Sequence, residues 1–165
     1  MLVWAGIAGG QDIEPAPIPG PVGLSVGNES RIALIRAERW LERHKTVEDW
    51  VLPGPVGINA PDDGEIERLK PLLDGDFGCL DENENVFEAW GRLAAGLARQ
   101  GNALVYRNGS FVPWRNAILH ELVASQRPDD MGGGWWGNGE EDAQRSTRAA
   151  YATLLFLLGF GETGD

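Results

Sequence analysis

Residues 126–136 read "QRPDDMGGGWW", and the reading of this stretch decides the fold. It follows "PWRNAILHELVASQ" (113–126), where Ile118 and Leu122 stand one helical turn apart and Pro113 suits a first turn. It precedes "STRAAYATLLFLLGF" (146–160), which is apolar nearly all round, as in a helix buried on most sides. Adjacent aspartates between such helices offer a metal or acid site, and adjacent tryptophans a surface for stacking a sugar or a lipid. The same letters also suit a rigid turn. An amide satisfies orphan backbone groups at helix ends, and an indole buries a large apolar area beside it. The turn is the reading adopted.

Upstream, "NVFEAWGRLAAGLARQG" (85–101) spaces Val86, Trp90, Leu93 and Leu97 by four, three and four, with Gly101 placed to end the helix. "NALVYRNGSF" (102–111) holds an Asn-Gly pair and predicts a small hairpin. Asp62 and Glu65 stand at capping-box spacing before a short helix ended by Pro71. "ESRIALIRAERWLERHK" (29–45) is amphipathic, with Asn28 or Ser30 as its cap. "VLPGPVGINAP" (51–61) breaks regular structure, and the proline- and glycine-rich residues 11–27 predict an extended tail. The expected organisation is a tail over 1–27 and a mainly α domain of five helices over 28–165.

The chain of 165 residues has the length of one domain, with 14 basic residues against 25 acidic ones and a net charge of −11. That field repels phosphate backbones, so nucleic acid is not an expected partner. Cys79 is the single cysteine, which excludes an internal disulfide and a cysteine-built zinc cluster. The longest apolar run, residues 149–160, is too short to span a bilayer. "MLVWAGIAGG" (1–10) has the apolar core and small-residue end of a signal peptide without its basic start. If it is such a remnant, the protein is exported to the periplasm or beyond the cell.

Two segments share a plan of amphipathic helix, polar turn and tryptophan: "AERWLERHKTVEDW" (37–50) and "AILHELVASQRPDDMGGGWW" (117–136). The second, with the inner-helix sequence after it, resembles the repeat of squalene-hopene cyclases and protein prenyltransferases. Gln126, Gly134 and Trp136 take that repeat's Gln, Gly and Trp places, Ser146 and Thr147 open its inner helix, and residues 85–102 resemble the inner helix before it. The likeness is good over 85–160 and faint over 30–50. It implies α-hairpins forming an α/α toroid or part of one. It also implies that the Gln side chain bonds to backbone at the start of the next helix and stacks on the Trp, tying outer to inner helices.

The chemistry of that family is incomplete here. A D-x-D-D acid motif lacks its first aspartate at both "APDDGE" and "RPDDMG", leaving Asp129 and Asp130 as the acid candidates of a terpene-cyclase-like alternative. Neither pair completes a magnesium-binding D-D-x-x-D. Cys79, His44 and His120 have no zinc-site spacing, and Cys79 is not in a thioester motif. Asp74, Asp76 and Asp81 begin a D-x-D loop that misses the glycine and glutamate of a calcium-binding EF-hand. Trp135, Trp136, Trp114 and Tyr106, with Phe111, are the candidate binding surface, and exposed indoles would make a carbohydrate-binding module the third reading. Five helices make under half a ring. The expectation is therefore a non-catalytic structural or protein-interaction module without cofactor. It would self-associate or dock on a protein partner through the concave face of its inner helices.

Overall fold

The computed structural model describes residues 24–44 and 60–159. The signal-like start, the rest of the proline- and glycine-rich tail to residue 23, the end of the first repeat-like copy with Trp50, and the 51–59 break lie outside the described residues.

The described chain is mainly helical. Its α-helices are α1 (Leu24–His44), α2 (Asp63–Leu69), α3 (Val86–Gln100), α4 (Trp114–Ser125) and α5 (Glu140–Leu158). Two antiparallel ribbons join them: β1 (Val105–Arg107) with β2 (Ser110–Val112), and β3 (Arg127–Pro128) with β4 (Gly134–Trp135). The helix ends follow local chemistry. Asp62 accepts from the Glu65 amide at 2.8 Å, and Asn85 accepts from the Phe87 and Glu88 amides. Gly101, at φ 71°, closes α3 in the left-handed conformation that a side chain resists. Pro71 opens a 3-10 turn, Lys70–Asp74, directly after α2.

Two boundaries differ from expectation. α1 starts at Leu24, so Asn28 and Ser30 lie inside the helix and do not cap it. Ser30 is buried, which the amphipathic pattern did not reveal. α5 starts at Glu140, six positions before Ser146. Its first turn is built by Glu140, Glu141 and Asp142, whose charges suit the positive end of a helix, and Asp142 accepts from the Asn138 and Gly139 amides at 3.1 Å. Acidic capping begins the helix ahead of the apolar run that starts near Ser146.

α5 lies at the centre. It packs against α3 along one flank and α1 along another, while α4 packs on α1, α3 and α5. α2 covers α3, with Gly96 at the contact, where an added Cβ would sit 2.5 Å from Ile66 Cγ1. The shared core includes Trp40, Leu69, Trp90, Leu93, Ile118, Leu122, Trp136, Tyr151 and Leu154. Arg115 of α4 donates to the Leu157 carbonyl near the end of α5, where a cation meets the negative end of the helix. Thus the first of the described helices rests on the last.

Candidate functional site

The 126–136 stretch folds as a tight ribbon in which Arg127 pairs with Trp135 and Pro128 with Gly134. Asp129 organises its tip. One carboxylate oxygen accepts from the Met131 amide at 2.9 Å and from the Gly133 amide at 2.7 Å, and the other meets the Arg43 guanidinium of α1. Gly132, at φ 75°, makes the turn between them. Burial pushes the Asp129 carboxyl up, but the Gly133, Met131 and Arg43 donors outweigh it and hold the group below its ordinary value. An acid catalyst needs the reverse, a carboxyl kept protonated. Asp130 is exposed beside it.

The residues placed by family resemblance converge on four helices. The Gln126 amide donates not to the start of the next helix, α5, but to the Ala33 carbonyl within α1 at 2.8 Å, and Gly134 leaves the room it occupies: a Cβ at 134 would stand 2.5 Å from Gln126 Cδ. Trp136 is 0% exposed, and its indole N–H donates to the Leu122 carbonyl of α4 at 2.7 Å. Its backbone N–H donates to the Thr147 hydroxyl oxygen of α5 at 3.0 Å. Ser146 accepts from the Asn85 side-chain amide at 2.8 Å, tying α5 to the start of α3. Ser146 and Thr147 do not open the inner helix; buried in its second turn, they fasten it to its neighbours.

The four aromatic binding candidates do not form one surface. Trp136 presents no face to solvent. Trp135 is half-buried, stacked on Trp40 with centroids 6.4 Å apart, and has the Arg127 guanidinium 5.2 Å from its ring centre. Trp114 is buried, donating to the Asn102 carbonyl at 2.6 Å. Tyr106 and Phe111 stand apart from these as facing residues of the β1–β2 hairpin, 62% and 68% exposed. Their rings meet edge-on at 63°, with Leu104 exposed nearby in sequence. Asn108 and Gly109, both at positive φ, make the hairpin turn.

Of the three calcium candidates, Asp74 and Asp76 are engaged separately and, among the described residues, Asp81 is not. Asp74 accepts from Arg107 Nε at 2.8 Å, Asp76 caps the Gly78 amide, and Asp81 lies on the rim of a groove described below. Among the described residues no three His, Cys, Asp or Glu side chains converge as a metal site. His44 donates to the Trp40 carbonyl, Cys79 to the Asp76 carbonyl, and His120 is exposed.

Among the described residues α3 and α5 contribute none of the exposed large apolar residues; these are Ile32 and Ile35 of α1, Phe77, Leu104, Tyr106, Phe111 and Met131. Among the described residues no helix is long and apolar enough to cross a membrane. Compared with family models, with curated proteins and with solved structures, the chain matches none.

Proposed function

We propose that the chain is a non-catalytic structural and protein-interaction module built from squalene-cyclase- and prenyltransferase-like helical hairpins. In this reading α4, the 126–136 ribbon and α5 are one outer–inner unit of an α/α toroid segment, and α3 is the inner helix of the unit before it. The Gln126–Gly134–Trp136 joint supports it, because Gln126 ties α4 to α1 while Trp136 ties the ribbon to both α4 and α5. Its acidity disfavours nucleic acid as a partner.

The observation that carries the interaction role is the Tyr106–Phe111 pair. Two large rings held in water by a rigid two-residue turn expose apolar area that association would bury. The first occupant to expect is the same hairpin of a second copy, since a two-fold contact pairs like with like. Light scattering across a concentration series tests this. The mass should rise with concentration in the wild type and stay monomeric in Tyr106→Thr/Phe111→Thr, where threonine keeps the strand preference. A wild type that stays monomeric throughout, or a double variant that associates equally, overturns the hairpin as that surface.

A further inference from the structure

A groove of about 640 Å³ opens where the 77–85 loop meets the first turns of α3 and α5. That volume falls within the roughly 300–1,000 Å³ usual for ligand sites. Phe77 is 49% exposed on its wall, while Leu80 and Val86 are partly buried and pack on the core behind it.

The polar residues of the groove divide into two sets. Glu84 is bound by Arg68 and Arg92, Asn85 caps α3 and reaches Ser146, Asp142 caps α5, and Arg145 forms a two-pronged pair with Glu88 at 2.6 and 2.7 Å. These build the walls. Asp81, Glu82, Asn83 and Asn138 are exposed, and their side chains have no partner among the described residues. A cavity thus presents two unpaired carboxylates, two unpaired amides and one exposed ring, with its only cation already held by Glu88.

We propose that this groove binds a basic peptide segment in which a lysine or arginine adjoins an apolar residue. Asp81 and Glu82 take the cation, Phe77 takes the apolar side chain, and the amides of Asn83 and Asn138 pair with peptide groups. A bare metal ion fits less well, since no three ligating side chains converge there. A polyamine would use the acids but leave the ring without an apolar partner. An anionic partner meets the repulsion of the −11 chain. No hairpin residue lines the groove, so this proposal stands or falls independently of the self-association just described.

Fluorescence anisotropy of a labelled Lys-Leu-Arg-Leu-Lys-Gly peptide titrated with the full chain tests it. Saturable binding is expected, weaker by about tenfold or more in Asp81→Asn/Glu82→Gln. It should weaken also in Phe77→Ser and with added salt, because exposed charges are screened. Tyr106→Thr/Phe111→Thr should bind as the wild type does. Absent saturable binding, equal binding of a peptide with Glu at each basic position, displacement by spermine as effective as by unlabelled peptide, or unchanged affinity in the acid variants would overturn the proposal.

Discussion

The side-chain amide of Gln126, at the end of α4, donates to the main-chain carbonyl of Ala33 in α1 at 2.8 Å, across 93 positions of sequence. Ala33 is itself nearly fully buried, so water cannot replace the bond without opening the contact. Gln126→Glu keeps the side chain's shape but presents carboxylate oxygen to carbonyl oxygen. Expected losses in urea denaturation are about 0.5–1.5 kcal/mol for Gln126→Ala and more for Gln126→Glu. Wild-type stability in both variants would show that the donor is not what matters.

Gly134 and Gln126 form a coupled pair. Gly134→Ala places a methyl against the Gln126 amide and should cost about 1–3 kcal/mol. In a Gln126→Ala background the methyl meets empty space, so the cost should shrink. A double-mutant cycle reads the coupling directly, with an expected term of about 0.5–3 kcal/mol. Additive losses would mean the two residues do not share that space.

Trp136 serves through both its ring and its N–H. Trp136→Phe retains most of the buried area but leaves the Leu122 carbonyl without the indole donor, an expected loss of about 1–3 kcal/mol. Trp136→Ala adds a cavity and should cost about 3–5 kcal/mol. Near-equal losses would assign the whole effect to the hydrogen bond.

Asp129 predicts an acid limb of stability. Its carboxyl titrates below its ordinary value in the fold, whereas an unfolded-chain aspartate titrates near about 3.9. The ionised group therefore adds stability that is present above the unfolded value and is lost as pH falls through the folded one. Asp129→Asn removes this contribution, so unfolding free energy measured along a pH series should fall less steeply below about pH 4 than in the wild type. Superimposable slopes would remove Asp129 from the acid response.

Much of the mainly α character was legible in local sequence, because caps and apolar spacing act within a few residues. Asp62 before Glu65, Asn85 before Phe87, Gly101 after Gln100 and the Asn108–Gly109 turn each work through neighbouring backbone. The start of α5 was hidden, since Glu140, Glu141 and Asp142 stabilise a helix through its dipole and cap without an apolar period. The groove was equally hidden. Asp81, Glu82 and Glu84 are neighbouring acids in the sequence, and only the position of Arg68 and Arg92 separates the paired acid from the unpaired ones.

Helix content, turn chemistry and the excess of negative charge belong to the sequence itself, because each is set by adjacent residues or by a sum over the chain. The partners of the side chains belong to tertiary structure. Trp136 and Tyr106 are both large aromatics beside a ribbon, yet one is sealed beneath α4 and the other stands in water. Asp129 read as a possible acid until Arg43, 86 positions away, came to lie against it. Docking of α1 on α5 is a long-range choice governed by matching buried surfaces, and periodicity within either helix carries no information about which other helix will cover it.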